Sequence, residues 1–379
     1  MASSLIKNEE SPRNVTVEEL REVFSEELSR GVLSDSEDLV PHTPDQCVKK
    51  YLENKQSSLS NASQRDVRSS LSFVTKWCHL EGINNMNKLR GTHLQDFRTW
   101  RREESSNRTD TLSPATMISE LRRLADFLRE IANFDAVQHD LHTKVTFPNI
   151  SEEAERKMVV IEHDRMERIL NHLNKYKYAT TEHVALKILA ETGMRVGGLR
   201  SIDIDDIDRQ KGIRMLLLRH RPSTDTPLKN GRKGERNVSI SEELGNLIDD
   251  YISVTPDSST DDFGRRPLLT TSQGRPNTGT VRKWAYQWSR PCAINETCPL
   301  GRNPRDCEAT ERDKESRCPE SRSTHPIRRG YITHLLNEGV SKYVVSNRCN
   351  VSVEVLEKHY DASSDSEKSI RRWKQVTDS

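Results

Sequence analysis

The sequence predicts a mainly α-helical chain with one small antiparallel β-sheet, divided into an N-terminal helical domain and a larger C-terminal domain. Three observations carry this reading. Apolar residues recur at helical spacing in four stretches between 44 and 134. A polar stretch containing Pro148, HTKVTFPNISEEAER, separates these from the C-terminal part of the chain. In that part, helical patterns alternate with a single pair of strand-like runs, IRMLLLRH and RNVSI.

Residues 1–43 read as an acidic, flexible arm with one amphipathic stretch, VTVEELREVFSEEL. The first domain spans 44–145. TPDQCVKKYLENK opens on a Thr-Pro-Asp helix-start signal. SQRDVRSSLSFVTKWCHLEG sets Val67, Leu71, Phe73, Val74 and Trp77 on one side and stops at Gly82. THLQDFRTWRREE is a third helix. SPATMISELRRLADFLREIANF is a fourth, with Met117, Leu121, Leu124, Leu128 and Ile131 in register.

The second domain spans 155–379. DRMERILNHLNKY, HVALKILAETG, SEELGNLIDDYISV, TVRKWAYQWS, HPIRRGYITHLLNEG and SVEVLEKHY read as its helices. The two strand runs form a basic hairpin. A cysteine-rich insert occupies 292–321. No repeat of fixed period occurs.

Composition narrows the function classes. No apolar run reaches the roughly 18 residues that span a membrane. The N-terminal MASSLIKNEESPRN lacks the apolar stretch of a secretory signal. The expectation is a soluble cytoplasmic protein. Net charge is +1, but it is unevenly spread. Ten acidic and four basic residues leave 1–42 at −6, and the remainder stands at +7. An acidic arm on a basic body fits nucleic-acid binding as well as simple solubilisation.

Cleaving a phosphodiester without a metal requires a nucleophile, cations around the non-bridging oxygens and an acid for the leaving alkoxide. The second domain offers candidates for all three in a fixed order. Arg195 comes just after the helix-ending Thr192-Gly193, and its planar fork suits phosphate oxygens. His325 and Arg328, three apart on a helix, share a face and pair a titratable ring with a permanent cation. Tyr360 ends SVEVLEKHY and needs neighbouring cations to favour its phenolate. Each feature alone is common on protein surfaces; the ordered set is not.

That ordered set resembles the tyrosine recombinase or phage integrase family, of the Xer-like site-specific kind. TGMRVGGLRSIDIDDID resembles the family's first arginine box, and HPIRRGYITHLLNEG with VSNRCNVSVEVLEKHYD its second. The resemblance extends over about 44–375. It implies a SAM-like core-binding domain followed by a catalytic domain, closing together on double-stranded DNA. It implies that Arg195 and Arg328 clamp the scissile phosphate, His325 assists proton transfer and Tyr360 attacks phosphorus. The hairpin lysine that protonates the 5′-oxygen would be Lys229, with Lys233 as competitor. The chemistry would use no cofactor and no ATP. The active form would be a homotetramer on synapsed DNA, nucleoid-associated, with accessory DNA-bending proteins as candidate partners. A type IB topoisomerase shares the chemistry, but a short hairpin and a separate helical domain favour a recombinase.

Two positions depart from the family pattern. Gly198 stands where an acid usually supports the first arginine, and Asp203 or Asp205 is the expected substitute. Asn350 stands where a His or Trp is usual; it donates hydrogen bonds but exchanges no proton near neutral pH. These departures motivate a second reading, a DNA-binding protein of the same fold without cleavage.

Cys292, Cys298, Cys307 and Cys318 fall in the otherwise polar insert. Four thiolates suit a tetrahedral structural zinc, which would explain how a segment without a core folds. No C-x-x-C knuckle occurs, so unligated cysteines in an irregular loop, or a disulfide, stay open.

Overall fold

The computed structural model describes residues 39–59, 61–105, 112–149, 159–254 and 260–359. Most of the acidic arm and Tyr360 therefore lie outside the described residues. The chain divides into two compact units, Met1–Ala154 and Glu155–Ser379.

The first unit is helical. Helix α1 (Pro44–Lys55) begins as predicted: the Thr43 hydroxyl accepts from the Gln46 amide, the Gln46 side chain accepts in turn from the Thr43 amide, and Pro44 sits at the first turn. Helix α2 (Asn61–Leu80) gives way to Gly82, which has φ +68°. Helices α3 (Gly91–Glu103) and α4 (Pro114–Ala132) complete the set. The apolar stripe of α4 is buried at every predicted position, Met117, Leu121, Leu124, Leu128 and Ile131. It packs with Leu71, Val74 and Trp77 of α2 in one core. Val67 and Phe73 are only partly buried at its edge. Cys47 and Cys78 are buried in that core, and burial pushes both thiols up to about 12.

The second unit holds α5 (His163–Tyr176), α6 (Thr181–Thr192), the short α7 (Val196–Ser201), a sheet, α8 (Glu242–Val254), α9 (Thr278–Trp288), α10 (Thr324–Asn337), α11 (Lys342–Cys349) and α12 (Val353–His359). Helix α6 is central, packing against α5, α8, α9 and α10. Its residues Val184, Ala185, Leu186, Ile188 and Leu189 are all buried, which is why its apolar positions are nearly continuous rather than striped. A smaller apolar cluster, Ile332, Leu336, Val345, Cys349, Val351 and Leu356, joins α10, α11 and α12.

The sheet has three antiparallel strands in the order β1 (Ile207–Gln210), β2 (Ile213–Leu218) and β3 (Arg236–Ile240). The strands β2 and β3 are the predicted pair, and Leu216, Leu218, Val238 and Ile240 alternate inward. Strand β1 goes beyond the prediction. It joins β2 through Lys211-Gly212, both at positive φ (50° and 82°), the conformation of a two-residue hairpin turn. The predicted short hairpin between β2 and β3 is instead a connection over 219–235, with two 3₁₀ turns, Pro222–Thr224 and Gly231–Gly234.

Candidate active site

The site begins where α6 ends. Gly193 closes the helix in the left-handed conformation (φ +59°), and a Cβ there would lie 2.4 Å from Tyr331 Cδ1. Glycine is required on both counts. Two residues on, Arg195 becomes the N-cap of α7. Its Nη1 donates to the Asn350 carbonyl at 2.8 Å.

Arg328 arrives from α10 and is 3% exposed. Its Nη1 donates to the carbonyls of Gly193 (2.6 Å) and Cys349 (2.5 Å), and its Nη2 approaches the Asn350 carbonyl at 3.5 Å. The two predicted arginines, far apart in sequence, therefore converge on the end of α11.

Asn350 is that end. It caps α11 at φ +52°, a conformation Asn tolerates better than most residues. Its carbonyl faces the arginines. Its side-chain Oδ1 accepts from Asn230 Nδ2 at 3.0 Å, in the β2–β3 connection. The adjacent Lys229 is exposed, as is Lys233, which flanks the buried Gly234. Gly234 in turn lies against the Asn350 side chain, where a Cβ would meet Nδ2 at 3.1 Å. Both candidate lysines are thus one residue from a contact with Asn350, and the geometry favours neither over the other.

His325 stands one turn before Arg328 and is exposed on one face. Loss of hydration around the rest of the ring, and then the charges of Arg329, Arg328 and Arg195, push its pKa down to about 4. At neutral pH the ring is therefore neutral and can accept a proton.

The aspartates expected to replace the family's acid are engaged with other arginines. Asp203 is buried and accepts from Arg265 Nε (2.8 Å) and Arg275 Nη2 (2.5 Å), with Arg221 at 3.6 Å. Asp205 pairs with Arg266 at 2.6 Å. Arg221 binds Asp206 through both nitrogens, and Arg275 also reaches Asp261 at 2.8 Å. This network fastens the β2–β3 connection and the loop between α8 and α9 to the segment just after α7. Gly198 leaves little room for an acid: a Cβ would meet Leu218 Cδ2 of β2 at 2.9 Å, so that side chain would have to shift.

Sequence reading missed two further arginines. Arg236, at the start of β3, donates to the carbonyls of Arg348 (2.9 Å) and Gly234 (2.9 Å). Burial, opposed by the Cys349 thiol and reinforced by Arg328, Arg195 and Arg348, lowers its pKa to about 10. Arg348 donates to Tyr331 Oη (2.7 Å) and to the carbonyls of Glu191 and Ser239. Neither belongs to a spacing motif; the one available signal is charge at partly inward positions of a strand and a helix. Four guanidinium groups so crowded form a site that favours an anion.

Helix α12 runs to His359 and is anchored by the fully buried Leu356. Tyr360 is the next residue in sequence and lies outside the described residues.

The four insert cysteines are free thiols, all half-buried, and they line one cavity with Arg290, Pro291 and Leu300. Burial raises the pKa of Cys292, and the other three thiols add to the rise. Among the described residues, no three His, Cys, Asp or Glu side chains stand as a ready metal cage. Nor, among those residues, is any helix long and apolar enough to cross a membrane.

A helical unit with a three-stranded sheet and arginines gathered at one helix end has the architecture of a tyrosine recombinase catalytic domain. The chain belongs to the phage integrase family, whose model matches residues 159–366. No curated protein matches it. Among solved structures it is similar to the Tn1549 transposon integrase in complex with a circular intermediate DNA, with 13% identity, 87% of this chain and 99% of that chain covered, and a TM-score of 0.62. It is also similar to the XerH site-specific recombinase bound to its difH substrate in a pre-cleavage complex, with 14% identity, 88% and 85% covered, and a TM-score of 0.57. At these identities the likeness is one of fold.

Proposed function

We propose that the protein is a site-specific recombinase that cuts and rejoins duplex DNA through a covalent bond to Tyr360. The observation that carries this reading is the convergence of Arg195 and Arg328 on the Asn350 carbonyl, within one cluster of guanidinium groups. Such a cluster suits the non-bridging oxygens of one phosphate, where charge grows in the transition state. The DNA held by the structural neighbours supports a duplex as substrate.

In the proposed reaction the Tyr360 oxygen attacks phosphorus and the bond from phosphorus to the 5′-oxygen breaks. His325, neutral at working pH, takes the phenolic proton. Lys229, or Lys233, gives a proton to the leaving 5′-oxygen. The products are a 3′-phosphotyrosyl bond and a free 5′-hydroxyl. A 5′-hydroxyl from a second strand reverses the step and releases Tyr360. One phosphate ester replaces another throughout, so no step draws on ATP. Exchange between two duplex sites needs four strand cuts, hence four copies of the chain.

A nicked suicide substrate tests this by trapping the covalent complex. The wild type and Tyr343→Phe, at an exposed tyrosine, are expected to form it. Tyr360→Phe is expected to bind DNA and form none. A complex from Tyr360→Phe refutes the nucleophile. Binding with no complex from the wild type would instead identify a DNA-binding protein of the same fold.

A further inference from the structure

We infer that Cys292, Cys298, Cys307 and Cys318 bind one structural Zn²⁺, which fastens the insert to the start of α10. Each of the four cysteines sits in a tight bend and accepts a main-chain bond from the residue three further on. The carbonyl of Cys292 accepts from the Asn295 amide (3.4 Å), Cys298 from Gly301 (3.0 Å), Cys307 from Thr310 (2.9 Å) and Cys318 from Ser321 (3.0 Å). Four such turns meet at one cavity, and all four cysteines line it.

The insert has little core of its own: Ile294, in its first turn, joins the core of the unit, and beyond it little apolar surface is buried. Apart from cysteines and prolines, its stretch from 295 to 320 has two apolar residues, Leu300 and Ala309. Leu300 is 49% exposed, and only Ala309 is buried. One alanine cannot offset the chain entropy of ordering so long a segment. Most of its ion pairs, such as Lys283 with Asp313, involve exposed carboxylates and contribute little, although Lys283 also reaches the buried Glu315 at 3.7 Å. Metal binding supplies folding free energy directly in segments of this kind.

The chemistry of the donors selects the ligand. The cavity the cysteines line is small, about 20 Å³, against the roughly 10–15 Å³ that admits one water. Four thiolates and one tetrahedral position are the donor set of structural zinc, with no open site for chemistry. The free thiols do not yet form a cage. Each sulfur has three staggered positions on its Cβ, so closure proceeds by rotamer changes on turns already placed.

Tethers carry the effect to the active site. The Arg165 guanidinium donates to the carbonyls of Ser289 (2.7 Å) and Glu320 (2.8 Å), and the Arg322 amide donates to Ser289 Oγ (2.7 Å). Cys318 lies six residues before Thr324, where α10 starts, and α10 carries His325 and Arg328. The role assigned to these two rests on the proposed function; the metal site does not.

The full chain, purified without a metal-affinity step, is expected to contain about one zinc per chain. Cys298→Ser and Cys307→Ser should lose it, and Cys47→Ala, in the other unit's core, should keep it. Cobalt exchanged into the wild type should show tetrahedral thiolate absorption. Should the serine variants fail to fold, a mercurial thiol reagent added to the folded wild type should release one zinc as the insert thiols react. A folded preparation that holds no zinc, or holds iron in its place, overturns the proposal. Because metal content is read without DNA, its failure is separate from any failure of Tyr360 as nucleophile.

Discussion

Replacing Arg195 and Arg328 by alanine should inactivate the protein for different reasons. Arg328 is buried, and its Nη1 serves two main-chain carbonyls from separate segments. Hydrogen bonds from a charged donor contribute about 1.5–3 kcal/mol each, and removal leaves both buried acceptors unpaired. Arg328→Ala should therefore cost about 3–5 kcal/mol of folding stability. Arg195 is half-buried and its bond to the Asn350 carbonyl is only partly buried, so its loss should cost less, about 1.5–3 kcal/mol. Cleavage should fall in both by about 3 kcal/mol or more, roughly 10²-fold, the scale of one lost transition-state donor. Urea denaturation of each variant gives the first quantity, and single-turnover cleavage at saturating DNA gives the second. Arg328→Lys sharpens the test: it keeps the charge, but one nitrogen cannot replace both Nη1, which serves Gly193 and Cys349, and Nη2, which faces the Asn350 carbonyl, so stability should recover only in part. Equal stability losses for the two alanine variants would refute the assignment of Arg328 as a structural as well as a chemical group. A loss of binding as large as the loss of cleavage in Arg195→Ala would make that residue a plain phosphate contact.

The same geometry gives two more expected outcomes. His183 is 2% exposed, its Nδ1 has no partner, and burial lowers its pKa to about 4 from 6.5. The unfolded chain thus takes up the proton first, so stability should be constant above pH 6.5 and fall by up to about 3 kcal/mol as pH drops from 6.5 to 4. Urea midpoints across that range should flatten in His183→Leu, and an unchanged slope would contradict the assignment. Restoring the family's acid as Gly198→Glu should lower stability by about 1–3 kcal/mol through collision with Leu218, without raising cleavage. A faster, equally stable variant would show that the contact yields.

The helices were legible because their burial tracks local periodicity. Every apolar position predicted for α4 is buried, and Thr43, Ser113 and Gly193 mark boundaries through capping chemistry that acts within four residues. Strand β1 was not legible, because IDRQ is polar and half-exposed and its turn is Lys-Gly rather than Asn-Gly. In the site, Arg195, His325 and Arg328 were found through ordered spacing. What spacing could not show is that a main-chain carbonyl would orient both arginines. An acceptor on the backbone is the same whatever residue stands there, so Asn350 carries no trace of it. The expectation for Asp203 failed for a related reason. Proximity in sequence put it near Arg195, but Arg265 and Arg275, distant in sequence, bind its carboxylate.

That buried aspartate changes what the charge count means for a DNA-binding surface. Salt sensitivity of binding measures counterions released from DNA as cations reach its phosphates. Arg265 and Arg275, with side chains 15% and 5% exposed, already hold their counter-charges inside the fold. They add to the count of Lys and Arg outside the arm, yet in net charge they cancel against Asp203 and Asp261, and in the proposed complex they would displace no ion from a duplex. The electrostatic footprint presented to DNA is accordingly set by geometry, and arithmetic on the sequence overstates the number of cations that take part.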